Sequence, residues 1–187
     1  GEIRVFDNAG SCVHTVPCQS ELTGCFFDAR ANQLVATTVE HAIMTFAPEQ
    51  FERTKLFFGS YDEVVDVRFI GEDEAHVAVA TNTEHIQIVD VATMNCTLMH
   101  GHTDVVLCLA VSADGRTLAS GSKDNSINVW RSNDAGVWYL AAKGVGHAGD
   151  VTAVAVSQKQ AGGTFLVSGS KDCTMKMWQL PDRPAGG

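Results

Sequence analysis

A chain of 187 residues, 45% of them hydrophobic, can bury a core, and its many short apolar runs broken by turn residues point to sheet without helix. The net charge of −9 disfavours broad binding to nucleic acid, which needs Lys and Arg clustered on one face. No signal segment is visible, and the longest apolar run, Val105 to Val111, is far short of the roughly 20 residues of a membrane helix.

The charge is uneven. Residues 1–90 carry five basic and fifteen acidic side chains, residues 91–187 eight and seven. Asp62, Glu63, Asp66, Glu72, Asp73 and Glu74 crowd one hairpin relieved only by Arg68, which reads as a solvated face or as a docking surface for a basic partner. Cys12, Cys18, Cys25, Cys96, Cys108 and Cys173 form no Cys-x-x-Cys pair. Cys25 and Cys108 lie inside apolar strand runs, where a free thiol is expected to be a small buried hydrophobe; a reducing cytosolic or nuclear compartment follows.

Taken in order, Ile3 to Phe6 and Val13 to Val16 read as the outer half of a sheet whose inner half is missing. LTGCFF, QLVAT and AIMTF then give three short strands around DARAN and VEH. The next unit opens on GSYDEVVDVRF. The clearest unit runs from Gly101 to Trp130: Val105 to Val111 and Leu118 to Ala119 flank Ser-Ala-Asp-Gly, a tight turn because Gly115 can take positive φ and Asp114 can bond its own backbone. Gly-Ser-Lys-Asp-Asn then leads into Ile127, Val129 and Trp130, with Ser126 and Asn128 between, which is strand alternation. Aligned on the last strand of each unit, Phe6, Phe46, Val89, Trp130 and Trp178 recur at spacings of 40, 43, 41 and 48, an internal repeat whose long last interval reflects the insertion Gln158 to Gly163. Each unit runs outer, inner, second and third strand. The last, Val151 to Trp178, has no fourth strand after it, since Pro181 to Pro184 stops pairing. Either the two incomplete halves pair to close a small ring or, as we expect, the residues are a slice of a longer chain.

Gly-His at the start of a unit and Asp and Trp at its end match the signature of the WD repeat, whose blades are four-stranded sheets of a β-propeller. The fold class expected is therefore all-β, about four WD40 blades plus a partial one. His102, Ser120, Asp124 and Trp130 recur as His147, Ser168, Asp172 and Trp178, with Ser-to-Asp spacing of four and Asp-to-Trp spacing of six in both. Earlier units decay: Ser60, Thr83 and Val89 stand where His, Asp and Trp would be, and Glu40 and Phe46 hold the Asp and Trp positions of the unit before. The resemblance implies a structural tetrad in which Asp and Ser hold the two imidazole nitrogens and Trp donates to Ser, against the rival reading of a Ser-His-Asp hydrolase triad. No Gly-x-Ser-x-Gly turn is present to expose a nucleophile. No enzyme, cofactor or small-molecule substrate is expected.

Two further sites are weighed. Cys96, His100, His102 and Cys108 fit no common structural-zinc spacing, so no metal is expected. Lys123 and Lys171, one residue before the tetrad Asp, are expected to project from the turn face with Thr103, Val105, Ala148 and Asp150 of the neighbouring loops, a protein-binding face in propellers or simply a set of exposed turn residues. His14, His41, His76 and His85 read as surface or rim residues.

Across residues 55–181, GSYDEVVDVRFIGEDEAHVAVATNTEHIQIVD, CTLMHGHTDVVLCLAV, GSKDNSINVW, GHAGDVTAVAVS and FLVSGSKDCTMKMWQLP resemble the transducin β-like tandem-propeller subunits of the small-subunit processome. That resemblance implies a scaffold in the nucleolus or nucleus, acting in ribosomal RNA processing beside a small nucleolar ribonucleoprotein. Its partners would be other proteins of a multi-subunit complex, with RNA contact indirect or weak and no membrane. It also implies that residues 1–47 end one propeller and residues 48–187 begin a second. A generic WD40 interaction module of signalling or ubiquitin-ligase type would share every tetrad residue.

Overall fold

The computed structural model of the chain describes residues 1–29, 32–58, 62–157 and 165–180. Every regular element among them is a strand, and the strands form five antiparallel sheets. Two units divide the chain, Gly1–Val64 and Val65–Gly187.

In the first unit, β1 (Glu2–Phe6) pairs with β2 (Cys12–Pro17), and β3 (Leu22–Asp28), β4 (Gln33–Thr38), β5 (Ala42–Phe46) and β6 (Arg53–Phe58) form a meander in that order. Ile3 and Val16 bury against Ala36, Met44 and Phe46, so the two-stranded and four-stranded sheets of this unit share one core.

The second unit stacks three sheets. The first holds β7 (Val64–Ile70), β8 (His76–Thr81), β9 (Ile86–Asp90) and β10 (Cys96–Met99). The next holds β11 (Val106–Val111), β12 (Thr117–Ser122), β13 (Ser126–Ser132) and β14 (Trp138–Val145), and the last β15 (Val151–Val156), β16 (Phe165–Ser170) and β17 (Met175–Gln179). Ile70, Ile86 and Met99 meet Leu109, Leu118 and Trp130 in one cluster, while Ala119, Ile127 and Val129 meet Val151, Val156 and Leu166 in another. The middle sheet is thus covered on both faces. All of β12 and β13 is buried, polar Ser120, Ser126 and Asn128 included.

The turns form as their residues dictate. Gly115 sits at φ 71° and donates its N–H to Ser112 O at 2.9 Å, while the Arg116 N–H bonds Asp114 Oδ1 at 3.0 Å. Each repeat's outer strand, however, joins the sheet of the repeat before it: β6 pairs with β5, β10 with β9 and β14 with β13. A sequence repeat and a sheet are therefore offset by one strand, so each of these sheets draws on two consecutive repeats.

Two expectations fail. Cys25 is exposed, not buried. In β11 the Val151 side of the next sheet covers Cys108, whose Sγ lies 3.7 Å from Val151 O, whereas β3 leaves Thr23, Gly24 and Cys25 open along the edge of its sheet. The acidic hairpin is not one solvated face either. Asp66 is drawn inward, accepting from Arg68 at 2.6 Å, from the Val67 N–H at 2.8 Å and from the Leu109 N–H of β11 at 2.8 Å, and Glu72 pairs with Arg116 as well. Burial pushes the Asp66 carboxyl up despite Arg68 and these donors. Ser60, the insertion Gln158 to Gly163 and Pro181 to Pro184 lie outside the described residues.

Candidate functional site

The two Gly-His loops and the two Ser-Lys-Asp turns of the second unit come together pairwise. His102 Nδ1 lies 3.0 Å from Asp124 Oδ2 and Nε2 2.8 Å from Ser120 Oγ, and Trp130 Nε1–H donates to the same Ser120 oxygen at 2.9 Å. The second set repeats this: His147 to Asp172 at 2.8 Å, His147 to Ser168 at 2.8 Å, and Trp178 to Ser168 at 2.8 Å. Proton positions follow by elimination. An ionised carboxylate only accepts and an indole only donates, so each serine accepts from Trp and must give its own proton to Nε2, leaving the imidazole proton on Nδ1 facing Asp.

That connectivity is the one a hydrolase triad would use, but the surroundings differ. Ser120 is 0% exposed and Ser168 1%. The indole N–H takes one of the two lone pairs of each serine, and burial leaves the oxygen without an open path to a substrate carbonyl.

The strand and turn geometry explains why these positions meet. Ser120 and Ser168 lie in β12 and β16, while Trp130 and Trp178 lie near the ends of β13 and β17 on the same face. Gly101 is glycine because a Cβ there would sit 2.7 Å from Trp130 Cη2. Between the strands, Asn125 and Cys173 take positive φ of 64° and 63° and let each turn present its Asp back toward the imidazole.

The sequence reading missed two further members of each set. Ser126 Oγ donates to Asp124 Oδ1 at 2.6 Å and Thr174 Oγ1 to Asp172 Oδ1 at 2.7 Å. Ser122 and Ser170 tie turn to loop, donating to Asp104 O and Gly149 O at 2.9 and 2.8 Å while accepting the N–H of Asp124 and Asp172. The signal was a hydroxyl two residues before and two after each Asp in both copies. Burial pushes the Asp124 carboxyl up, yet the bonds from Ser126, His102 and the Thr103 N–H outweigh it and hold the group well below the usual carboxylate range. Asp172 is held low by the Ala148 N–H first and then by Thr174. Burial also lowers His102 against the pull of Asp124.

With these loops fixed, Thr103, Lys123, Ala148 and Lys171 are exposed, and Val105 and Asp150 half-buried. Lys123 N–H bonds Val105 O at 3.0 Å, Lys171 N–H bonds Asp150 O at 2.9 Å, and Lys171 Nζ pairs with Asp150 at 2.8 Å. The other described basic residues of this half do not join one patch: Arg116 pairs with Glu72 and Asp134, Arg131 is buried, Lys143 lies 3.6 Å from Asp124 and Lys176 is half-buried, while Lys159 and Arg183 lie outside the described residues. The four metal candidates are dispersed, since His102 is held by Asp124 and Ser120, Cys108 is buried with its thiol pushed up to about 12 by desolvation, and Cys96 and His100 are exposed. Among the described residues no group of three His, Cys, Asp or Glu could hold a metal ion. His14 is exposed, stacking on Phe51 at 4.8 Å, whereas His41, His76 and His85 are half-buried.

Residues 93–131 and 140–179 match the WD domain, G-beta repeat family. The chain is 39% identical over 163 residues to transducin beta-like protein 3 of Rattus norvegicus and 39% identical over 164 residues to its Homo sapiens counterpart, 84% of this chain in each case. It covers only 20% of those relatives, about a fifth of their length. Against U3 small nucleolar RNA-associated protein 13 of Saccharomyces cerevisiae it is 31% identical over 113 residues, 55% of this chain and 14% of that protein. The solved structure of U3-55K aligns with a TM-score of 0.71 at 19% identity, over 89% of this chain and 51% of that one, a likeness of fold.

Proposed function

The chain belongs to the WD-repeat family, and from that premise we propose that it is a non-enzymatic scaffold for protein assembly in the small-subunit processome, serving ribosomal RNA processing in the nucleolus or nucleus. The observation that carries this reading is the similarity to transducin beta-like protein 3 across 84% of the chain, joined by the similarity to a U3 small nucleolar RNA-associated protein. The tetrads act as clamps. They hold Thr103, Val105, Lys123, Ala148, Asp150 and Lys171 in fixed relation as a face for protein partners, and RNA contact through this face is weak or indirect. In the same reading residues 1–47 close one propeller and residues 48–187 open a second.

Affinity purification from cells tests the assembly. Ribosome-assembly factors should co-purify with the chain, and their loss on Lys123→Glu with Lys171→Glu would support the turn face. Recovery of none of them would sink the processome reading. Salt-insensitive, tight binding to RNA by the purified chain would overturn the indirect role given to RNA.

A further inference from the structure

The second unit carries a groove that the tetrads and their turn face do not use. It has a cavity volume of about 530 Å3 and opens between two neighbouring sheets. One wall is β10 with Leu98, Met99 and the following His100; the other is the β13–β14 hairpin with Val137, Trp138 and Tyr139. Leu98, Val137, Tyr139 and Leu140 are 47%, 59%, 43% and 42% exposed, a set of large apolar groups in one place. Their exposure is not that of scattered surface residues. Together with Trp138 they line one concave site, the composition of a ligand groove.

The groove also has an open backbone edge. β10 is the outermost strand of its sheet. Asp90 N–H donates to Asn95 O at 2.9 Å between directly opposed residues, so the antiparallel alternation places the N–H and C=O of Cys96 and Leu98 on the free side. Such an edge accepts an added strand.

Its charge specifies the occupant. A second hollow of about 280 Å3 continues the first, sharing His76, Gly136 and Trp138, and is lined by Glu72, Asp73, Asp134 and Arg116. With Asp90 in the first hollow, the groove presents four carboxylates against one guanidinium. Arg116 already pairs with Glu72 and, at 3.2 Å, with Asp134, so the acidic end keeps an excess of negative charge. An acidic peptide or a nucleic acid backbone is repelled here, and a basic segment is attracted.

We propose that this groove binds an extended segment of a partner protein in which apolar or aromatic side chains, seated against Trp138, Tyr139 and Leu98, adjoin lysines or arginines that meet Glu72, Asp73 and Asp134. The proposal takes from the scaffold reading only that the occupant is a protein. It shares no residue with the turn face.

Short capped fluorescent peptides alternating Phe or Leu with Lys provide the probe, titrated into the whole chain by anisotropy. Saturable binding is expected, weakened at least about tenfold by Leu98→Asp, by Tyr139→Ser, or by replacing every Lys of the peptide with Glu. Both substituted positions are exposed, and unchanged tryptophan emission reports that the fold is kept. No saturable binding up to about 1 mM, equal binding of the Glu peptides, or binding indifferent to both substitutions overturns the proposal. Concentration-dependent dimerisation abolished by Leu98→Asp would give the groove to a second copy and overturn it too. Lys123→Glu with Lys171→Glu leaves peptide binding unchanged, so loss of the cellular assembly in that variant and loss of groove binding are separate failures.

Discussion

The two tetrad sheets carry the same hydrogen-bond pattern in different surroundings. In β11–β14 both faces are covered: Trp130 is 2% exposed, and Ile127 and Val129, alternating with it along β13, are buried. In β15–β17 the equivalent positions Met175 and Met177 stand 82% and 74% exposed and Trp178 is half-buried, yet the His147, Ser168 and Asp172 distances match those of the covered set within 0.2 Å. Clamp geometry is therefore set locally, by two strands, one turn and one loop, whereas the burial that makes it costly to break is set by the neighbouring sheet. Removing the same side chain from each sheet separates the two contributions.

The largest separation should come from the indoles. Trp130→Ala strands the Ser120 oxygen and opens a cavity in a covered core, costing about 3 to 5 kcal/mol, and Trp178→Ala should cost about half that or less. Gly101 and Gly146 sharpen the point, since an added Cβ would lie 2.7 Å from Trp130 but 3.3 Å from Trp178. All three tryptophans, Trp130, Trp138 and Trp178, lie in the second unit, so emission in urea follows that unit alone. Equal midpoint shifts for the two variants would break the distinction between local geometry and neighbour burial.

Next come the carboxylates. Asp124→Ala leaves the buried His102 Nδ1–H, the Ser126 hydroxyl and the Thr103 N–H without their acceptor, at about 1 to 3 kcal/mol. Asp172→Ala should cost less, because Thr174 and Ala148 are exposed and water replaces the lost acceptor. An unchanged urea midpoint and slope for Asp124→Ala would show that the network does not stabilise the sheet.

Why these clamps were legible, and the rest was not, follows from range. Each tetrad spans one repeat and appears twice at matched spacing, so His102, Ser120, Asp124 and Trp130 stand out in the sequence, as do the glycine turn at Gly115 and the strands around it. Ser126 and Thr174 hid because a hydroxyl at or just before the start of a strand looks ordinary. Asp66 was misread for a different reason: its Leu109 partner lies 43 residues away in another sheet, and nothing in its own hairpin announces that bond. The apolar groove beside β10 likewise depends on which sheet stands next to which within the second unit, a property that no single repeat encodes.

A smaller effect tests the covered clamp through pH. Burial lowers the His102 pKa, so the unfolded chain takes up a proton there that the folded chain refuses; the associated stability is present above the ordinary value of about 6.5 and is lost as pH falls through the lowered one. Asp124 and Asp172, held low, lose their contribution only below the ordinary carboxylate value, whereas Asp66, raised, acts above that value and with the opposite sign, adding stability as pH falls through its raised pKa. Between about pH 7.5 and about pH 5 the urea midpoint should therefore fall by less than Asp124→Ala lowers it. A His102 ring signal titrating at or above about 6.5 by NMR would contradict the sign.

Least of all should change at the open face. Met177→Ser replaces a side chain that is 74% exposed and should shift stability within about 0.5 kcal/mol, while Val129→Ser, at the matching position of the covered sheet, loses buried apolar area and strands a hydroxyl in the cluster with Val151 and Leu166. Parallel urea titrations of the two variants give the contrast directly. If Met177→Ser destabilised the unit as much as Val129→Ser, the row Met175, Met177 would be buried in solution by something other than this chain's described strands, and concentration dependence of the midpoint would then identify a second copy as the cover. A concentration-independent midpoint with a near-zero shift leaves β17 solvent-facing, with its clamp intact and uncovered, which is the condition the comparison of the two sheets requires.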